Sequence, residues 1–121
     1  KAHEYIFLLS KSERYFYDRA AVMEGNGSGK RNRRTVWSLH TQAFPGAHFA
    51  TFPPALVKPC ILAATKPGDF ILDPFFGSGT AGLVARQLGR KYVGVELNPE
   101  YVALAAERLK ADEKSIVRVA A

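Results

Sequence analysis

Apolar positions along the chain fall into short blocks separated by glycine, proline and charge. Tyr5-Ile-Phe-Leu-Leu9 is a continuous β-rich run and predicts a buried strand. Lys11-Ser-Glu-Arg14 is polar and turn-like, and Tyr15-Phe-Tyr17 predicts a short second strand, a hairpin partner for the first. Pro53-Pro54 introduces an apolar helical stretch ending near Thr65. Pro59 lies inside that stretch, where a proline removes a backbone donor and clashes one turn back. The regular helix is therefore expected to begin close to Pro59, with looser turns before it.

From residue 66 onward the pattern becomes regular. Lys66-Pro-Gly-Asp69 reads as a turn and Phe70-Ile-Leu-Asp73 as a strand. Gly79 to Leu88 predicts a helix with Gly89 as its stop. Tyr92-Val-Gly-Val-Glu96 predicts a second strand, and Pro99 to Lys110 a second helix capped by Asn98, with Pro99 at its first position. Ala103, Leu104, Ala106 and Leu109 are expected to form the buried face of that helix, and a third strand is expected to start at Ser115. Strand, helix, strand, helix implies parallel neighbours joined by crossovers, half of a doubly wound, Rossmann-like α/β sheet.

The stretch between these blocks is polar. Glu24-Gly-Asn-Gly-Ser-Gly-Lys30 holds three glycines in five residues and predicts a flexible loop. Lys30, Arg31, Arg33 and Arg34 follow at once, either as a solvated charge run or as a mobile basic loop that meets phosphates. Residues 35–53 read as irregular, with Trp37, Phe44, Phe49 and Phe52 among polar neighbours.

Composition narrows the class. A chain of 121 residues suffices for one domain with a modest core. No apolar run approaches the roughly 18 residues of a membrane span, and no signal-peptide pattern opens the chain. The single cysteine, Cys60, cannot form an internal disulfide, which points to a reducing, intracellular setting. A net charge of +6 favours a polyanionic partner. The first residue is Lys1, and a piece of a longer protein is expected.

The chemistry concentrates in Asp73-Pro-Phe-Phe-Gly-Ser-Gly-Thr-Ala-Gly82, which leaves a strand, turns on glycines and enters a helix. Glycines there reach positive φ and leave no side chain between loop and ligand. Open α/β sheets bind ligands at the carboxyl ends of their strands, where Asp73 lies. Glu96 ends the neighbouring strand, and an acid there can accept hydrogen bonds from both hydroxyls of a ribose. Asp73, the glycine loop and Glu96 are thus expected around one pocket. Gly77-Ser-Gly-Thr-Ala-Gly82 matches the dinucleotide pattern G-x-G-x-x-G, which would make NAD the ligand. Asp73 argues against it, because an acid just before the loop would face a pyrophosphate. S-adenosylmethionine has no phosphate and carries a positive amino group and sulfonium, which suit an acid.

Three motifs carry a resemblance. Asp73-Pro-Phe-Phe-Gly-Ser-Gly-Thr80 resembles the D-P-F-x-G-S-G-T cofactor motif of the amino DNA methyltransferases. Gly94-Val-Glu-Leu-Asn-Pro99 resembles their G-x-E-x-N-P strand end, and His48-Phe-Ala-Thr-Phe-Pro53 their H-x-A-x-F-P segment. In the β group of that family the catalytic segment comes first, target recognition next and the cofactor segments last. His3 to Lys11 resembles a strand late in the catalytic half, and Thr35-Val-Trp37 the segment before the H-x-A motif.

The resemblance implies a Rossmann-like S-adenosylmethionine-dependent fold in partial form. Residues 1–19 would end the catalytic half, 20–47 would be a basic loop for target recognition, and 48–121 the cofactor part. Glu96 would hold the ribose and Leu97, beside Asn98, would face adenine. Asp73, Pro74, Gly77, Ser78, Gly79 and Thr80 would line the methionine end, with Phe75 beneath the cofactor. His48, Phe49, Ala50, Thr51 and Phe52 would cover it. Lys30, Arg31, Arg33 and Arg34 would contact the phosphates of double-stranded DNA. The reaction implied for the whole enzyme is methyl transfer to the exocyclic amine of adenine or cytosine, the base leaving the duplex to reach the pocket. A cytoplasmic enzyme of bacterial or phage origin is implied, with a homodimer as a candidate assembly.

One departure limits this reading. The catalytic signature D/N/S-P-P-Y/F/W occurs nowhere in the chain. Asp73-Pro-Phe-Phe76 belongs to the cofactor loop, and Pro53-Pro54 is flanked by Phe52 and Ala55. By the family's order the signature is expected before Lys1, as a missing catalytic segment, and the chain alone is expected to be inactive. Rival readings are an NAD-linked oxidoreductase fragment, a vestigial DNA-binding module and a methyltransferase acting on RNA. No metal site is expected, since His3, His40 and His48 lack ligands at coordinating spacing. Cys60 reads as a core thiol rather than the nucleophile of carbon-5 cytosine methylation.

Overall fold

A computed structural model describes residues 3–40 and 51–117. Its centre is one strand–helix–strand unit. Strands β3 (Phe70–Asp73) and β4 (Lys91–Gly94) pair in parallel, with Ile71 opposite Tyr92 and Asp73 opposite Gly94. Helix α2 (Thr80–Gln87) connects them. Before this unit come a 3-10 turn (Ala20–Val22), the two short strands β1 (Glu24–Gly25) and β2 (Lys30–Arg31), and helix α1 (Pro54–Ala64). Helix α3 (Pro99–Val117) follows it. This is the partial α/β sheet expected from the hydropathy pattern.

The core lies on one side of the sheet. Ile61 of α1 and Val84 and Ala85 of α2 are buried together, and Val57, Ile71, Leu88 and Tyr92 pack around them. Strand side chains alternate between faces, so Ile71 and Tyr92 point toward α2 while Phe70, Leu72, Val93 and Val95 point away and stay exposed. Phe70 and Leu72 each keep 66% of their surface in solvent, and the Lys91 ammonium sits 5.2 Å from the Phe70 ring. Helix α2 ends as expected. Gly89 takes φ 74°, its N–H donates to the Arg86 carbonyl, and the Arg90 N–H donates to the Ala85 carbonyl. That pair of bonds is a Schellman stop. Gly68, at φ 90°, makes the turn before β3, where the Asp69 N–H reaches the Lys66 carbonyl.

Phe76 is the keystone of the packing. Its ring stacks on Tyr92 at 5.7 Å and lies between Gly82 of α2 and Gly94 of β4. A Cβ on Gly82 would come within 2.6 Å of the ring, and a Cβ on Gly94 would overlap it. Both glycines are needed for clearance.

Several expectations are corrected. Helix α1 begins at Pro54, not near Pro59. Pro54 stands at the first helical position, where its missing N–H costs nothing. Pro59 lacks the N–H that would reach the Ala55 carbonyl, and its ring is buried, as are Ile61 and Ala63, so apolar burial offsets the lost bond. Helix α3 runs seven residues past Lys110, and no strand starts at Ser115. Residues 111–114 are ordinary helix formers apart from Asp112, and Asp112 is held by Arg86 and Gln87 of α2 at 2.8 Å each. The buried face of α3 is Ala105 and Leu109; Ala103 and Ala106 are exposed and Leu104 is half-buried.

Neither expected N-terminal strand forms. Residues 5–9 have no ladder partner among the described residues and remain exposed; a strand is a relation between two segments, and apolar composition alone cannot supply the second. The segment around Tyr17 docks on α1 and the turn after it instead, through the Asp18 N–H on the Ala63 carbonyl and Lys66 over the Phe16 ring. The glycine-rich stretch, read as a loop, is the hairpin β1–β2. Gly27 at φ 86° turns it, the Asn26 N–H closes on the Gly29 carbonyl, and Arg31 pairs with Glu24 at 3.0 Å.

Gly94→Ala is expected to destabilise the chain by about 1–3 kcal/mol through overpacking against Phe76. Thermal melting checks this, and adding Phe76→Leu, which frees space at the notch, should restore part of the loss.

Candidate functional site

The candidate site sits at the carboxyl ends of β3 and β4. Pairing continues past the strands: the Val95 N–H donates to the Asp73 carbonyl and the Phe76 N–H to the Val95 carbonyl, each at 2.9 Å. The chain therefore leaves β3 still attached to β4. Asp73 then turns it, its carboxylate accepting the Phe75 N–H at 3.0 Å. Gly77 (φ 51°) and Gly79 (φ 77°) carry it into α2. Gly79 is the N-cap, in the left-handed region, and a Cβ there would sit 3.0 Å from that of Ala105.

Glu96 faces this loop across the gap between strands. One carboxylate oxygen accepts the Gly77 N–H at 2.7 Å and the other accepts the Asn98 N–H at 2.9 Å. The Asn98 and Gly77 backbone donors hold its pKa below the usual carboxylate range. A carboxylate offers about four lone-pair directions, so two remain for hydroxyls of a ligand. Asn98 caps α3 as expected, its side-chain oxygen accepting the Glu100 N–H at 2.9 Å. A cavity of about 500 Å³ opens beside Glu96, toward Phe76, Ala105 and Leu109 rather than across Asp73.

Of the other expected site residues, Phe75 is 86% exposed and Leu97 95% exposed, so both project from the strand ends. The phenylalanine that packs under the loop is Phe76. Pro74 is exposed beside Phe75. Ser78 and Thr80 are buried, and their hydroxyls accept hydrogen bonds from Arg108 of α3 at 3.2 and 2.8 Å. Thr51 is half-buried and Phe52 exposed; His48, Phe49 and Ala50 lie outside the described residues. In the basic stretch, Arg31 is paired with Glu24, Arg33 stacks over Trp37 at 4.4 Å, and Lys30 and Arg34 are exposed. Among the described residues no cluster of three metal-ligating side chains occurs. Cys60 gives its thiol to the Leu56 carbonyl, and burial pushes its pKa up against the pull of the Arg33 charge, as suits a core thiol.

Sequence reasoning missed Arg108 and Arg86. Arg108 clamps the loop, and burial lowers its pKa while the Asp112 charge opposes that shift. Arg86 donates to the Leu109 carbonyl and to Asp112. Burial acts to raise the Asp112 pKa, but hydrogen bonds from Arg86 and Gln87 and the charges of Arg86 and Arg108 carry it below the ordinary value. The available signal was an arginine one residue before Leu109, on the small-residue side of α3.

A sequence profile of the DNA methylase family, covering N6 and N4 methyltransferases, matches residues 1–107. The chain belongs to this family. It is 59% identical over its whole length to the Type II methyltransferase M.Cfr9I of Citrobacter freundii and 57% identical to M.XycI of Xanthomonas campestris pv. cyanopsidis. It spans 41% of the length of each. The solved PvuII DNA methyltransferase, described as cytosine-N4-specific, aligns with 90% of the chain and 44% of its own, at 29% identity and a TM-score of 0.63. The methylase fold is therefore the one expected from the three motifs. No helix among the described residues is long and apolar enough to cross a membrane.

The Glu96 geometry has a pH consequence. Its depressed pKa adds stability that is complete above the unfolded carboxylate value of about 4.3 and is lost as pH falls through the lower folded value. Asp112 titrates in the same sense, so the difference between wild type and Glu96→Gln isolates the effect. Melting curves should show the wild type losing its advantage over Glu96→Gln on acidification and keeping it at neutral pH.

Proposed function

We propose that this chain is the S-adenosylmethionine-binding part of a DNA methyltransferase that acts on the exocyclic amine of adenine or cytosine. The observation that carries the reading is Glu96, bonded to the glycine loop at the mouth of two parallel strands. Two of its lone pairs remain for the two hydroxyls of a ribose. Asp73 supports the choice of cofactor, since a carboxylate beside the loop favours a positive amino acid end and opposes a pyrophosphate. Phe75 and Leu97, both exposed, offer apolar contact to a planar base. His48 to Phe52 would cover the methionine end.

Bound S-adenosylmethionine would supply an electrophilic methyl group on sulfonium. The residues of this chain would bind and orient it. The base and its catalytic D/N/S-P-P-Y/F/W segment would be supplied from outside these 121 residues, so the chain alone would not methylate DNA. We assign residues 1–19 to the end of the catalytic half, 20–47 to target recognition and 48–121 to the cofactor part. Lys30 and Arg34 are the exposed candidates for phosphate contact; Arg31 and Arg33 reach DNA only by leaving Glu24 and Trp37. The likeness to a cytosine-N4-specific enzyme makes cytosine the first base to test. A cytoplasmic setting and a homodimer complete the proposal.

Calorimetric titration of S-adenosylmethionine into the chain tests it, with NAD and Glu96→Ala as controls. Binding is expected for the wild type, with NAD silent and Glu96→Ala at least about tenfold weaker, the scale of one lost charged hydrogen-bond set. A folded chain that binds NAD alone overturns the proposal.

A further inference from the structure

The loop from Gly77 to Thr80 contains two glycines at positive φ, and such a backbone has other conformations within easy reach. Two side chains from the second half of the βαβα unit fix it. Glu96 holds its first N–H. Arg108 holds Ser78 and Thr80: one terminal nitrogen of its guanidinium donates to the Ser78 carbonyl at 3.3 Å, the Ser78 hydroxyl at 3.2 Å and the Thr80 hydroxyl at 2.8 Å, while the Gly79 N–H donates to the Phe76 carbonyl at 2.9 Å. Ser78 and Thr80 are 5% and 4% exposed, so these contacts are shielded from water.

Where the two hydroxyls go matters. A serine or threonine at the N-cap would accept an N–H of the first turn, but here that position is Gly79, with Ser78 before it and Thr80 after it. Helix α2 begins with no side-chain cap. Arg108 of α3 takes up both hydroxyls instead. What the loop can then offer a ligand is backbone.

We propose that Arg108 is a positioning residue for the cofactor site: it holds Ser78 and Thr80 against α3 and so sets the backbone of Gly77–Thr80 facing the amino acid end of S-adenosylmethionine. This rests on the cofactor reading above. It makes Arg108 selective for one end of the ligand, because the adenosine end is held by Glu96 and its neighbours. A merely structural arginine would affect both ends alike.

The test compares S-adenosylmethionine with 5′-methylthioadenosine, which keeps the adenosine and lacks the amino acid. Arg108→Met is expected to raise the dissociation constant for S-adenosylmethionine about tenfold and that for methylthioadenosine by less than about twofold. Arg108→Lys, which keeps the charge, should recover part of the loss. Equal weakening of both ligands, or of neither, overturns the proposal. Should Arg108→Met fail to fold, Thr80→Val removes the shortest contact and must show the same one-sided loss, and an equal effect on both ligands again overturns it. A wild-type chain that binds neither ligand refutes the cofactor reading for the chain by itself. Amide hydrogen exchange then decides the inference alone: faster exchange at Ser78–Thr80 in Arg108→Met, with β3 and β4 unchanged, supports it, and an unchanged loop sinks it.

Discussion

The Glu96 carboxylate ties two stretches of backbone that hydrogen bonding between strands cannot reach. One oxygen stops the glycine loop at Gly77, and the other receives the chain at Asn98 as it enters α3. Without it, the ends of β3 and β4 would be joined only at Asp73, Val95 and Phe76. Its position follows from register: Asp73 lies opposite Gly94, so the residue two places on from Gly94 stands level with the loop. A carboxylate is the right group because it accepts at both oxygens and keeps lone pairs in reserve. Its lowered pKa is the electrostatic record of the same bonds.

Around that tie, stabilisation is shared unevenly between helices. Helix α2 is covered by α1 on one side and linked to α3 by charge on the other. Arg86, Gln87 and Asp112 join the C-terminal end of α2 to α3, and Arg108, midway along α3, reaches the loop and Thr80 at the start of α2. Arg90 performs a similar task for α1. It is buried, and it donates to the carbonyl and hydroxyl of Thr65, the C-cap residue, where a cation complements the negative end of the helix dipole. Three arginines that would be counted as surface charge are thus structural, and the net charge of +6 overstates what is available to a polyanion.

The sequence was legible where one local signal sufficed. The turn at Gly68, the strand Phe70–Asp73, the Gly89 stop and the Asn98 cap each depend on residues within a few places of one another. The motifs at 73–80 and 94–99, which mark the candidate site, are local in the same way. Signals that needed a partner failed. Tyr5–Leu9 has strand composition without a strand beside it among the described residues, and the extension of α3 past Lys110 is supported by Asp112 meeting a different helix. Phe75 and Phe76 are chemically identical neighbours, and only the glycines at 82 and 94 decide which ring goes inside. The hydroxyls of Ser78 and Thr80 could be assigned to the loop from the motif, but their direction is set by an arginine some thirty positions later.

Phe76, Gly82 and Gly94 also constrain one another as a single steric unit. An aromatic ring at 76 forbids a side chain at either glycine, and a side chain at either glycine forbids the ring. A change at either glycine is therefore least costly once residue 76 is smaller. The third glycine of the G-x-G-x-x-G match is accounted for by clearance between ring and backbone, so steric fit alone explains it and it carries no information about a dinucleotide.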